Sequence, residues 1–200
     1  MIRIELQVDL NYEVDGRGAD FVFNIHAANT PHQAVSGERL TLSQAIPQRM
    51  HTDPATGNRY LHVRADPGEL KLSYAATVDL VHYIGDPAQI AEVPVRDIPP
   101  EVMGYIYPSR YCQSDRLIRL ATRNFGGLGQ GYSRVLAIRD WVNRHVTFTP
   151  NSSNSNTSAV DTLIEGVGVC RDFAHLMIAL CRAVNIPARF ATGTDYGADP

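Results

Sequence analysis

The sequence lacks the features of several protein classes. Its 200 residues contain no apolar run near the roughly 20 residues that span a bilayer, so we expect no membrane association. No basic cluster with interleaved aromatic residues occurs, and the net charge of -3 argues against a nucleic-acid partner. Residues 1–7 lack the basic region and apolar core of a signal peptide. The three cysteines, an odd and low number, suit a reducing compartment, so we predict a cytoplasmic protein.

Common signatures of metal and phosphate sites are also missing. No Cys-x-x-Cys pair and no His-Glu-x-x-His pattern occurs. The glycine-rich residues 126–129 lack the lysine and the preceding strand of a phosphate-binding loop, so they are interpreted as a break between helices. We therefore expect neither a metal ion nor another cofactor.

Alternation of apolar and polar residues dominates the first part of the chain. It covers residues 2–10, 21–27, 59–65 and 69–83. Turn-forming sequences such as Asp66-Pro67-Gly68 separate these runs. Short strands at this spacing predict an antiparallel β-sandwich over residues 1–92.

The pattern becomes helical after a segment with four prolines, residues 93–114, which is predicted to be a linker. Helices are predicted over residues 115–124, with Ser114 as the N-cap, over residues 132–144, and from Cys170 to about residue 184. Shorter predicted elements are a β-prone piece at 146–148, a polar loop at 151–158, one or two helical turns at 159–165 and a strand at 188–192.

The junction between a glycine-containing loop and the third helix carries the clearest chemical signal. Cys170 lies there, where free backbone N–H groups and the positive end of the helix stabilise a thiolate. Its side chain is expected to point toward the elements against which the helix packs. Gly166 and Gly168 would let a substrate backbone approach closely. The residues alone leave two interpretations of Cys170 open, a nucleophile and a small buried side chain.

No clear partner for Cys170 is found among the seven histidines. His175 lies five residues further along the helix and faces roughly 140° away, so it is predicted to be a packed histidine. His145 ends the second helix, where a capping role is predicted because a cation favours the helix dipole. Cys181 continues the apolar stripe and is predicted to lie in the core, while nothing indicates a role for Cys112.

Residues 168–174, Gly-Val-Cys-Arg-Asp-Phe-Ala, and residues 180–189, Leu-Cys-Arg-Ala-Val-Asn-Ile-Pro-Ala-Arg, strongly resemble the core motif of the bacterial transglutaminase-like superfamily. Residues 138–148 resemble the helix and strand that precede that motif, and residues 161–163 resemble the short helix before the cysteine. The β-rich first part is similar to the N-terminal domain often found in bacterial members. The resemblance implies an α+β protein, with a β-sandwich followed by a papain-like core over residues 115–200.

The resemblance implies a Cys-His-Asp triad in which Cys170 matches the nucleophile. The family's histidine and aspartate come later than any residue of this sequence, and Asp195 and Asp199 do not match that aspartate. We therefore expect the core to be truncated and this chain to be catalytically inactive, or nearly so. The implied chemistry is attack of Cys170 on an amide of a protein or peptide substrate, which gives a thioester. Water as the acceptor makes the protein a hydrolase, such as a cysteine protease, and an amine makes it a transglutaminase; the sequence does not decide between them.

Two further expectations concern binding. A core that stops before its last strands would expose a sheet edge and an apolar face beside helix 170–184, which favours a homo-oligomer. The alternative function is a non-catalytic module that binds peptides or a partner protein and keeps the transglutaminase-like fold.

Overall fold

The computed structural model of the chain describes residues 1–82 and 84–193. The chain forms two compact units, Met1–Ile84 and Gly85–Pro200. The described residues of each unit surround an apolar core of their own. The division into residues 1–92, 93–114 and 115–200 stays a prediction.

The first unit is an antiparallel β-sandwich. One sheet has the strand order β1–β6–β3 and the other has the order β2–β5–β4. The strands are β1 (Ile2–Val14), β2 (Ala19–Phe23), β3 (Gln33–Leu42), β4 (Gln48–Thr52), β5 (Arg59–Ala65) and β6 (Gly68–Leu80). Alternation did not indicate β3 and β4. A β-bulge between Ser36 and Arg39 interrupts the first, and every residue of the second is exposed.

The core of the sandwich lies between the inner faces of the two sheets. Alternate residues of β6, including Leu70 and Leu72, are buried against Leu61 and Val63 of β5. Tyr74 is fully buried and brings a hydroxyl into this core. The hydroxyl donates to Glu38 Oε1 at 2.7 Å and accepts the Ala27 N–H at 3.2 Å, so its hydrogen-bonding capacity is used.

The second unit is mainly helical. Its described residues form α1 (Pro100–Met103), α2 (Ser114–Phe125), α3 (Tyr132–His145), β7 (Thr147–Phe148), α4 (Ala159–Glu165), β8 (Val167–Gly168) and α5 (Cys170–Ala183). Short 3-10 turns occupy Pro87–Gln89, Val95–Asp97 and Gly104–Ile106. None of the described helices combines the length and apolarity that crossing a membrane requires.

Helix α5 forms the centre of the second unit. Its residues Leu176, Ala179 and Leu180 are completely buried, and α2, α3 and α4 pack around it. The segment between the sandwich and α2 also contributes, since Cys112 lies in the same core. Burial of one face of each helix holds the N-terminal end of α5 in a fixed place.

Two local predictions in this unit were wrong. The N-cap of α2 is Gln113, and Ser114 is the first helical residue, buried in the turn. Residues 188–192 form no strand in the described part of the chain; they are irregular, and Ala188 donates its N–H to Tyr105 O. A single bond of this kind does not make a β-ladder.

Candidate active site

Cys170 is the first residue of α5, and it is exposed. The chain reaches it through α4, whose capping box of Ser158 and Asp161 fixes the start of that helix. Gly166 then ends α4 in the left-handed conformation, with a φ of 66°. Strand β8 follows and delivers the chain to the first turn of α5.

Strand β7 lies parallel to β8 at the start of α5. The N–H groups of Thr147 and Thr149 donate to the carbonyl oxygens of Gly166 and Gly168, at 2.8 and 3.0 Å. This pairing places the end of α3 and the strand that follows it beside Cys170.

An open cleft of about 560 Å³ lies next to Cys170. Its lining is apolar with two uncharged polar residues, and consists of Asn143, Val146, Thr147, Phe148, Cys170 and Phe173. The prediction that the Cys170 side chain points toward the packed face of its helix was wrong. The small β7–β8 sheet flanks the first turn of α5 and leaves the thiol open to solvent.

Asp172 is the third residue of α5 and is fully buried. Its Oδ2 accepts the Val169 N–H at 2.8 Å, which closes half of a capping box around Cys170. Its Oδ1 accepts Nε and Nη2 of Arg171, at 3.2 and 3.1 Å. Burial by itself would raise the pKa of Asp172, but hydrogen bonds from Ser153, Val169 and Arg171 outweigh burial and lower that pKa.

Arg171 joins the start of α5 to the polar loop at residues 151–158. Its Nη2 lies 2.9 Å from Ser153 Oγ and 2.9 Å from the carbonyl oxygen of Asn154. The sequence analysis missed this link, because the two loop residues lie 18 and 17 positions before Arg171 and no local pattern connects them. The role of Asp172 had a usable signal, since an acidic residue at the third helical position is typical of helix starts.

The two glycines before Cys170 are required by the chain itself. A Cβ at Gly168 would lie 2.8 Å from the Cβ of Asp172, so Asp172 makes the close approach that the sequence analysis assigned to a substrate. Gly166 is needed for its left-handed φ, which residues with a side chain rarely adopt.

Two backbone N–H groups at the start of α5 remain available. The N–H groups of Asp172 and Phe173 donate to Val169 O at 2.8 and 3.2 Å. Those of Cys170 and Arg171 have no acceptor in the described part of the chain. Free donors beside a thiol are what an oxyanion needs.

The other two cysteines are buried in the core of the second unit. Cys181 follows the predicted apolar stripe, and burial raises the pKa of its thiol to about 12. Burial also raises the pKa of Cys112. Neither thiol is accessible to a substrate in the cleft.

The two histidines of the second unit pack against aromatic rings. His175 stacks on Tyr111 with ring centroids 5.3 Å apart, and burial lowers its pKa. His145 stacks on Trp141 at 3.7 Å, and its Nδ1 lies 2.7 Å from Trp141 O in the last helical turn. Neither lines the cleft, in agreement with their predicted structural roles.

Acidic and metal-ligating side chains do not cluster in the described part of the chain. In residues 1–82 and 84–193, no three histidine, cysteine, aspartate or glutamate side chains lie close enough together to hold a metal ion. Asp195 and Asp199, which the sequence analysis set apart from the triad aspartate, lie outside the described residues.

Comparison with known proteins assigns both parts of the chain. Residues 118–200 match the transglutaminase-like superfamily, and residues 2–101 match the bacterial transglutaminase N-terminal domain. The crystal structure of a candidate cysteine protease from Cytophaga hutchinsonii is 39% identical, with a TM-score of 0.84, and the match covers 92% of this chain and 67% of that one.

A second similar protein is the uncharacterized protein ML0607 of Mycobacterium leprae. It is 34% identical over 88 residues, which are 44% of this chain and 32% of that protein. The matched segment therefore spans about a third of the length of this curated relative. The resemblance seen in the sequence is confirmed, and the chain belongs to the transglutaminase-like superfamily, with a bacterial transglutaminase N-terminal domain before the core.

Proposed function

We propose that this protein is a transglutaminase-like cysteine hydrolase or acyltransferase in which Cys170 is the nucleophile. One observation carries the proposal: the thiol of Cys170 is exposed at the first position of α5, beside an open cleft. Cys112 and Cys181 are buried and serve the core instead. Family membership supports the same assignment, because Cys170 lies within residues 118–200, which match the transglutaminase-like superfamily.

The proposed reaction begins when the Cys170 thiolate adds to the carbonyl carbon of an amide. A C–S bond forms and the carbonyl π electrons move to oxygen, where the free N–H of Cys170 can donate a hydrogen bond. Collapse of this intermediate breaks the C–N bond, releases the amine with an added proton, and leaves a thioester. Water then releases a carboxylic acid, whereas an amine gives a new amide.

Two proton transfers in this reaction need a group that the described cleft does not supply. A base must take the thiol proton, and an acid must protonate the leaving amine. The described lining residues include no histidine, aspartate or glutamate. We therefore propose that this chain by itself turns over amides very slowly, and that its thiol reacts with acyl donors whose leaving group needs no proton.

The proposed substrates are proteins or peptides. The structurally similar Cytophaga protein is a candidate cysteine protease, and the cleft beside Cys170 is open at the surface rather than enclosed. The three free cysteines support a proposed cytoplasmic location, where thiols stay reduced.

Single-turnover acetylation by p-nitrophenyl acetate tests the nucleophile. We expect mass spectrometry to find the acetyl group on Cys170, at a rate above that of glutathione at the same pH, because the helix start and the free N–H groups assist the thiolate. Cys112 and Cys181 are internal controls that should stay unlabelled in the folded chain. Cys170→Ala should abolish the fast phase. Acetylation of Cys170 no faster than that of glutathione would contradict the proposal.

The second candidate function is a non-catalytic peptide-binding module. The observation that favours it is the side chain of Phe148, which is 53% exposed in the cleft with Phe173 nearby. If the protein is such a module, we expect peptides to bind equally well to the unmodified chain and to Cys170→Ala. We also expect Cys170 to react at the rate of an ordinary thiol.

A further inference from the structure

Two arginines tie the ends of α5 to neighbouring loops. Near the C-terminal end, Arg182 donates to Ala188 O at 2.8 Å, to Tyr107 O at 3.0 Å and to Ser109 Oγ at 3.1 Å. Near the N-terminal end, Arg171 donates to Ser153 Oγ and Asn154 O in the loop and to Oδ1 of Asp172. The two side chains are therefore comparable helix anchors, and only Arg171 is adjacent to Cys170.

The contacts of Arg171 continue through Asp172 to the backbone before Cys170. One oxygen of the carboxylate binds Arg171, and the other accepts the Val169 N–H at 2.8 Å. The Cβ of Asp172 also limits the space at Gly168, as the 2.8 Å approach of a built Cβ demonstrates. The position of Asp172 thus fixes both residues that precede the nucleophile.

The buried carboxylate depends on its cationic partner. Asp172 is fully buried, and a buried charge without a partner is strongly unfavourable. Loss of the guanidinium would leave Asp172 with the Val169 N–H and the Ser153 hydroxyl as partners. The carboxylate would then take up a proton or move toward solvent, and the turn at residues 168–170 would lose its support.

We propose that Arg171 is a positioning residue for Cys170: acting through Asp172, it fixes the turn at residues 168–170 so that the Cys170 N–H faces the oxyanion. This role of Arg171 rests on the proposed function of Cys170 as the nucleophile. It adds to that function the residue that orients the turn at residues 168–170. Arg171 itself has no contact with the reacting atoms in this scheme.

Two reagents separate orientation from simple thiol reactivity. Acetylation by p-nitrophenyl acetate passes through an oxyanion, whereas alkylation by iodoacetamide is a direct displacement that forms none. We expect Arg171→Gln to lower the acetylation rate of Cys170 roughly ten- to a hundredfold, since small misplacements have effects of this size. The alkylation rate, compared at high pH, should change by no more than about twofold.

Arg182→Gln is the matched control and Arg171→Lys is the conservative variant. Arg182→Gln should destabilise the helix without changing the ratio of the two rates. Arg171→Lys keeps the charge beside Asp172 and should restore part of the acetylation rate. Fluorescence of Trp141 and circular dichroism verify that each variant is folded.

The outcomes distinguish this proposal from the proposed function. An unchanged rate ratio in Arg171→Gln overturns the positioning role and leaves Cys170 as the nucleophile. Equal losses of both reactions in Arg171→Gln and Arg182→Gln also overturn it, because they report general loss of structure. Failure of the unmodified chain to acetylate Cys170 overturns the proposed function, and the positioning role with it.

Discussion

At the scale of single residues, the three cysteines occupy two kinds of environment. Cys112 and Cys181 are buried among apolar side chains, and burial disfavours their thiolates, raising the pKa of Cys181 to about 12. Cys170 is exposed at a helix start. Accessibility and the neighbouring backbone, rather than residue type, therefore distinguish Cys170 from the other two cysteines and support its proposed role.

Gly168 is the residue most sensitive to a small addition near the site. In Gly168→Ala the new Cβ would lie 2.8 Å from Asp172 Cβ, 3.3 Å from its Oδ2 and 3.4 Å from Thr162 Cγ2. Because all three atoms are held in a packed region, we expect a loss of about 1–3 kcal/mol in the free energy of unfolding. Urea unfolding followed by Trp141 fluorescence measures it.

Gly127→Ala is the control for this change, since nothing lies within 4 Å of its built Cβ. We expect that variant to be as stable as the unmodified chain or slightly more stable. Equal midpoints for the two variants would show that Asp172 tolerates displacement.

We expect His26 to make the stability of the sandwich depend on pH. Its ring packs 4.5 Å from that of Tyr74, and its buried Nδ1 has no partner among the described residues. Burial lowers the pKa of His26, Arg59 lowers it further, and Glu38 opposes them. The unfolded chain therefore binds a proton on His26 more readily than the folded chain does. The contribution of neutral His26 to the free energy of unfolding is complete above pH 6.5, the ordinary pKa of histidine, and is lost as pH falls through the pKa of the folded chain.

His26→Phe should keep the aromatic contact and remove this pH dependence. Thermal unfolding followed by circular dichroism between pH 7 and 5 measures the effect. His51→Phe, on the exposed strand β4, is the control and should keep the change of unfolding temperature with pH seen in the unmodified chain. If the unfolding temperatures of both variants change with pH to the same extent, His26 is not the source of the pH dependence.

At the scale of elements, the segment before α2 secures the start of α3. The N–H of Tyr132 donates to Ile90 O at 2.9 Å, and the N–H of Gly131 donates to Glu92 Oε2 at 2.9 Å. The other oxygen of Glu92 lies 3.3 Å from Nη1 of Arg134, whose side chain is 6% exposed. Ile90 and Glu92, which lie just before the predicted linker, thus supply the cap that α3 lacks in its own sequence.

The elements around Cys170 could be predicted because local signals agree there. The apolar periodicity of α5 and the glycine break before it need no distant partner. Contacts between distant segments could not be predicted, and these include the link from Arg171 to Ser153 and the pairing of β7 with β8. Strand β4 escaped prediction because it buries no face and so carries no alternation.

Glu92→Ala tests the buried ion pair. The change would leave the Arg134 guanidinium buried without its carboxylate, and we expect a loss of about 3–5 kcal/mol in the free energy of unfolding. Asp140→Ala removes the partner of Arg139 in an exposed pair and should cost less than about 1 kcal/mol. Urea unfolding followed by Trp141 fluorescence measures the free energy of unfolding of both variants. Similar losses in the two would show that burial of the Glu92–Arg134 pair does not make it more important than the exposed pair.

At the scale of the whole molecule, the proposed nucleophile Cys170 and the sandwich belong to different units. All three cysteines belong to the second unit, and the similarity to the Cytophaga protein includes residues of both units. The structural similarity therefore extends over the β-rich first unit and the helical second unit of this chain. The described residues that line the cleft beside Cys170 all belong to the second unit.

The edge of β7 leads us to predict self-association of the whole chain. Among the described strands β7 pairs with β8 alone, and the N–H groups of Thr147 and Thr149 are used in that pairing. The N–H of Phe148 therefore points to the other edge, where no described residue accepts it, and the Phe148 ring is 53% exposed. An unpaired edge with an exposed aromatic side chain favours pairing with a second copy.

We expect sedimentation velocity under reducing conditions, which exclude disulfides through Cys170, to detect dimers that increase with protein concentration. Phe148→Lys places a charge on the edge and should shift the protein toward monomer. Ile164→Lys, on α4 away from this edge, replaces an apolar residue that is 77% exposed and should leave the dimer intact. A monomer at every concentration would refute self-association, and an equal effect of both variants would assign it to general apolar contact instead of the β7 edge.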